Sequence, residues 1–171
     1  MKARRSSAGD FAIGDGEAFF SAAHPTIAAG TQSNLAAAAD LSEAAMETIL
    51  TNIQLIEDDR GILIGAGAKS LHIPPALQFT AEKILMSPGT TTGAFAKNDI
   101  NAIRSMGAVP GGYFVNRRFT DTNGYFVKTD VPNGAKMFVR TPLQTKMEED
   151  FDTGNLRFKA RERYSFGVSD W

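Results

Sequence analysis

An α+β fold, with a mostly antiparallel sheet and two or three flanking helices, is what this sequence of 171 residues predicts. Three observations predict it. Leu41, Ala45, Met46, Ile49, Leu50, Ile53 and Ile56 recur at helical spacing, the mark of an amphipathic helix. Ser70 to Ile73 form a short apolar run that meets Pro74-Pro75 and continues into helically spaced Leu77, Ala81, Ile84 and Leu85. Beyond Gly112 the apolar runs are short, aromatic and β-branched, with turn residues between them. Strands that follow one another through short turns pair antiparallel.

Residues 1–35 are rich in Gly, Ala, Ser and Thr and read as an irregular lead-in with one apolar patch, Ala18, Phe19 and Phe20. A helix is predicted from Asp40, which has capping-box spacing to Glu43, and Asp58 to Gly61 end it. Neither Pro74 nor Pro75 can extend a strand ladder, whereas Pro suits a first helical position, so a strand turns there into a helix over 75–86. Residues 86–99 are a loop of small residues. Asn98 then caps a short helix near Asp99 to Met106, and Gly107 stops it. Strands follow at Tyr113–Asn116, Tyr125–Lys128 and Lys136–Arg140, with hairpin turns at Thr122-Asn123-Gly124 and Pro132-Asn133-Gly134. Met147 to Gly154 is an acidic turn, and the last strand runs from Leu156 to Val168.

Composition narrows the function. There is no cysteine, hence no disulfide framework and no thiolate chemistry. No apolar run approaches the roughly 20 residues of a membrane helix, and the basic tip at 1–5 lacks the apolar core of a secretory signal. The net charge of −1 is uneven: residues 6–66 carry nine acidic groups against one basic, and 67 onward fourteen basic against ten acidic. Such a division suits contact between one part of the molecule and another, or a second copy.

GILIGAGAKS (61–70) invites a phosphate-loop reading, but Leu63 and Ala68 stand where the two glycines belong, and a strand follows Lys69-Ser70 instead of a helix. His24 and His72 are too few for a metal site, so no metal ligands, catalytic residues or cofactor are assigned. Asp15 with Glu17, and Glu148, Glu149, Asp150 and Asp152, sit in no environment that would split carboxylate pKa values for acid–base work. The sharpest signal is the last strand. Leu156, Phe158 and Ala160 alternate with Arg157, Lys159, Arg161 and Arg163, which spreads four cations over roughly 20 Å of one face. The apolar residues do not interleave with the basic face as a base-stacking platform would. These four are therefore candidates for subunit contact, or for intrachain ion pairing, with acidic segments such as Glu43–Asp59 or Glu148–Asp152, rather than for DNA.

LHIPPALQFTAEKIL (71–85), NDINAIRSMG (98–107), GGYFVNRRFTDTNGYFVKTD (111–130) and FDTGNLRFKARERYSFGVSDW (151–171) together resemble tailed-bacteriophage major capsid proteins of the Hong Kong 97 type. The closing block is the most specific, and DGEAFFSAAHP (15–25) is similar to the segment after the spine helix of such proteins. The resemblance implies a lead-in at 1–35, an axial-type domain over 36–145, and a long strand at 146–171 returning into the peripheral domain. It implies a non-enzymatic shell subunit, assembled in the bacterial host cytoplasm and resident in the virion. Its partners would be copies of itself in hexamers and pentamers, portal, scaffold and decoration proteins, and packaged DNA only non-specifically. Because the spine helix and extended loop are not recognisable, the chain is expected to correspond to the C-terminal half and to form monomers or small oligomers alone. The alternatives are an encapsulin-type shell protein, or a small nucleotide-binding or hydrolase domain using the GAGAKS loop.

Overall fold

A computed structural model describes residues 2–3, 13–27, 30–89, 99–132 and 134–168. The chain divides after Pro132 into two compact units. Residue 145, where the sequence reading ends its axial-type segment, lies inside a long strand of the second unit.

The first unit is built on a four-stranded sheet. Its strands are β1 (Lys2–Ala3), β4 (Ala68–Ile73), β5 (Tyr113–Val115) and β6 (Phe126–Thr129), in the order β1-β6-β4-β5. Leu71 lies opposite both Val127 and Tyr113, which fixes the core face of the sheet. Against that face pack helices α1 (Glu43–Gln54) and α2 (Gln78–Met86) and the single turn α3 (Ala102–Ser105). Met46, Ile49, Ile53, Leu71, Ile73, Ala81, Ile84, Tyr125 and Val127 are essentially sealed from solvent. Each large aliphatic among them stabilises the unit by about 1.5–3 kcal/mol. The apolar stripe of α1 is thus buried as its spacing predicts. Pro75 opens a 3-10 turn, Pro75–Leu77, that runs into α2, so the Pro-Pro corner forms where expected.

The opposite face of the sheet is covered by aromatic rings. Phe126 packs between Phe20 and Phe119, with ring centroids 5.2 Å from each, and Phe20 lies 4.6 Å from Phe19. The lead-in is less irregular than its composition implies. It forms a small hairpin of β2 (His24–Thr26) and β3 (Gly30–Gln32). The side chain of buried Asn34 ties it together, donating to the Phe19 carbonyl at 2.6 Å and accepting the Ser21 amide at 2.9 Å.

Several expectations are corrected. Helix α1 is capped by Ser42, whose hydroxyl accepts the Ala45 amide at 3.2 Å, so Glu43 is the first helical residue and not the third. Helix α3 is capped by Asn101; the expected cap Asn98 lies outside the described residues, as does most of the 86–99 loop. Strands β5 and β6 are not a hairpin. β4 lies between them, and β5 pairs parallel with it because 74–112, carrying α2 and α3, forms a crossover. The residues around Asn123-Gly124 therefore make a crossing loop, in which Asp121 accepts the Asn123 amide at 2.9 Å. Four of the five described ladders are antiparallel.

The second unit is a two-stranded antiparallel ribbon of β7 (Ala135–Glu149) and β8 (Leu156–Val168). β8 has the span the sequence predicts, whereas β7 runs nine residues past the predicted Arg140 and absorbs the start of the acidic turn. Pro142 hid that extension, since proline is rare inside a strand. Here it falls within the second of two register shifts, 139/141 and 141/144, an irregular place where a missing N–H is tolerated. The turn Pro132-Asn133-Gly134 joins strands of different sheets rather than a hairpin, and Asn133 is outside the described residues. No helix among the described residues is long and apolar enough to cross a membrane.

Candidate functional site

The ribbon places every sequence-selected cation. Cross-strand partners share a face, and Arg157, Lys159, Arg161 and Arg163 lie opposite Glu148, Lys146, Gln144 and Thr141 on one face, as the alternation predicts. The other face carries Leu156, Phe158, Tyr164 and Phe166 together with Met137, Val139 and Met147. Both faces are open: Phe158 is 65% and Phe166 67% exposed, although Tyr164 and Phe166 meet edge to face at 5.5 Å. An isolated two-stranded hairpin is marginal in water, and apolar patches of this extent mark contact surfaces.

The four cations are not equivalent. Arg157 forms an ion pair with Asp150, whose carboxylate also accepts the Thr153 hydroxyl at 2.9 Å, so this arginine closes the ribbon's own tip. Lys146 is paired with Glu148 on its own strand, and Lys159 faces Lys146 across the ribbon, an unfavourable like-charge juxtaposition. Among the described residues, Lys159, Arg161 and Arg163 form no salt bridge. At the tip, between Asp150 and Asp152, Phe151 is fully exposed.

The remaining candidates are held in structural roles. His24 is buried, its Nδ1 2.7 Å from an Asp15 carboxylate oxygen. Partial burial pushes the Asp15 carboxyl up, but the hydrogen bonds from His24 and the Glu17 amide outweigh it and hold the group below its usual range. Glu17 accepts the Ser21 hydroxyl at 3.1 Å. The Asp15–Glu17 pair thus pins the lead-in. His72 stacks on Phe114 at 5.4 Å and meets the Ser70 hydroxyl at 3.1 Å; burial first, and then the Lys128 charge, lower its pKa.

In the GAGAKS loop the Gly67 amide donates to the Asp130 carboxylate at 2.8 Å, and Lys69 and Ser70 belong to β4. A loop whose amide already serves a carboxylate is no phosphate cradle. Among the described residues no three His, Cys, Asp or Glu side chains cluster as metal ligands. A hollow beside Arg118, Asp121 and Phe126 has a volume of about 120 Å³, below the roughly 300 Å³ at which ligand pockets begin.

Sequence reasoning passed over a second exposed feature. After α1 the chain makes a tight projection in which Glu57 bridges Leu63, the Asp58 amide donates to the Ile62 carbonyl at 2.8 Å, and Asp58 in turn accepts the Arg60 and Ile62 amides. Its outer side chains mix acids with apolar groups: Leu55, Ile62 and Leu63 are each more than half exposed. The signal was present as the apolar triplet ILI directly after Asp58-Asp59-Arg60-Gly61, masked by the glycines that follow it.

The sequence model of the family described as phage capsid protein matches residues 8–171. No curated protein and no solved structure matches the chain.

Proposed function

Since the chain belongs to the phage capsid protein family, we propose that it is a major head subunit of the Hong Kong 97 type, which associates with copies of itself into the icosahedral shell around phage DNA. Its role is structural and not catalytic, and its residence is the virion. The observation that carries this reading is the ribbon of β7 and β8, a long element with an apolar and a basic face, both open to solvent. A surface of that kind is stable in a cell when neighbouring subunits cover it. The α+β unit up to Pro132 is the axial-type body on this reading, and the ribbon belongs to the peripheral region. The conversion of Asp15, Glu17, His24 and the GAGAKS loop to structural contacts supports a protein without an active site. Portal, scaffold and decoration proteins are further partners on the same reading, and packaged DNA is met only non-specifically.

Density-gradient banding of virus particles from cells that carry the gene, followed by mass spectrometry, tests the proposal. Peptides of residues 135–168 are expected among the most abundant of the particle band. Their absence from that band, with the chain present in the soluble fraction, overturns it.

A further inference from the structure

We infer that the basic face of the ribbon docks on the acidic, apolar-flanked projection at residues 55–64 of a second copy, in a head-to-tail contact. This rests on the capsid reading and names the partner of the surface described above.

Three observations converge. The basic face holds Lys159, Arg161 and Arg163, which form no salt bridge among the described residues, and Lys159 is set against Lys146. These three cations span about 13 Å of extended strand. Like charges facing each other across a ladder are retained at a cost, and an incoming carboxylate relieves it. Arg157 is excluded from this set because Asp150 holds it in the tip.

The second observation is the chemistry of the complement. Residues 6–66 carry nine acidic groups against one basic, and Glu57, Asp58 and Asp59 are concentrated in the projection. Asp58 is committed to the turn's own amides, which leaves exposed Asp59 and half-buried Glu57 as the acids available to a partner. The third is that the projection is also apolar, with Leu55, Ile62 and Leu63 exposed. Apolar side chains beside the acids let the contact exclude water, so charges that contribute about 0–1 kcal/mol each when solvated become stronger and more specific.

The alternative of ribbon on ribbon fails on charge. A two-fold contact between basic faces sets cation against cation. A two-fold contact between apolar faces centred on β8 brings Glu162 against its own copy, since Glu162 is the middle residue of Leu156–Val168. The two patches inferred here differ, so the contact is heterologous, and such contacts close into rings when the rotation permits.

The test is a charge exchange in the full chain, read by sedimentation velocity. Arg161→Glu with Arg163→Glu, and separately Glu57→Lys with Asp59→Lys, are each expected to weaken self-association by at least about tenfold with melting unchanged. Combining the four changes in one chain, or mixing the two double variants, is expected to restore it. Restoration on mixing cannot come from a merely structural role. The inference is overturned by a wild-type chain that stays monomeric, by reversals without effect, or by folded variants that fail to restore association. It is also overturned if the reversals lower melting and the combined variant recovers it with association unmoved, which would place the pairing within one chain. Binding of duplex DNA at physiological salt that is lost on Arg161→Glu with Arg163→Glu assigns the face to phosphate instead. Chain found in virus particles together with a failed exchange removes this contact alone; absence from particles removes the capsid reading.

Discussion

The unit up to Pro132 and the ribbon after it carry similar proportions of apolar residues larger than alanine and put them to opposite use. In the first, Met46, Ile53, Leu71, Ile73 and Val127 are sealed between helices and sheet. In the second, Phe158, Tyr164 and Phe166 stand more than half exposed on a strand pair that has no layer of its own to pack on. A sheet face needs a second layer to be buried. On the reading proposed above, the difference marks where folding information ends and association information begins: the same alternation of apolar residues that builds a core in β4 leaves an open surface in β8.

That contrast can be broken from either side. The largest effect is expected in the core. Ile73→Ala should destabilise the first unit by about 2–5 kcal/mol in urea unfolding, as removal of a large buried side chain does. A loss below 1 kcal/mol would mean that the unit is not packed as described. Asn101 is next. Its side chain donates to the Ile84 carbonyl at 2.6 Å at the end of α2 and caps α3 through the Arg104 amide at 3.2 Å. Asn101→Ala should cost about 2–4 kcal/mol, a lost cap plus a buried carbonyl left unpaired.

A smaller effect concerns His72. Its pKa is lowered from the ordinary 6.5 by burial and by Lys128, so the folded chain binds this proton less readily than the unfolded one. The associated stability is fully present above pH 6.5 and is lost as pH falls through the lower folded value. Melting temperature should therefore decline from neutral toward mildly acid pH, and His72→Gln should flatten that part of the profile. A steeper decline in the variant would reverse the sign argued here. The smallest folding effect is expected in the ribbon. Phe158→Ser should leave the cooperative unfolding of the first unit within about 0.5 kcal/mol, as exposed substitutions do, while reducing self-association. A core-sized loss of stability would show that the ribbon's apolar face is already covered within one chain.

How legible this was in the sequence follows the same division. The stripe from Leu41 to Ile56, the Pro74-Pro75 corner and the span of β8 depend on local periodicity and local chemistry, and all three were readable. The parallel pairing of β4 with β5 was not, because which strands become neighbours is settled by packing of the crossover helices and not by the strands themselves. The Ser42 and Asn101 caps were each missed for a neighbouring Asp or Asn, since several residues nearby can serve as a cap and tertiary packing selects among them. β7 was cut short because Pro142 and the polar run up to Glu149 contradict strand propensity, and a hairpin partner overrode it. For the candidate interface, the basic face was written in the alternation of β8. The exposed 55–64 projection was written only in the triplet ILI after Asp58-Asp59-Arg60-Gly61, a weak signal because an exposed Ile and a buried Ile look alike in a sequence.

Pro142 has a consequence for copies of this chain that meet before their faces are covered. A ribbon with two unbroken borders can add strands on both sides without limit, which is the geometry of a fibre. Here β7 contains Pro142, which has no N–H to donate, and its ladder shifts register at two places, so it is a poor template for a regular neighbour. The border of β8 is regular, but two such borders run antiparallel would bring Arg157, Lys159, Arg161 and Arg163 of one copy against the same residues of the other. Uncovered copies are therefore steered away from edge-to-edge sheet growth, which leaves the two faces of the ribbon for the contacts proposed above.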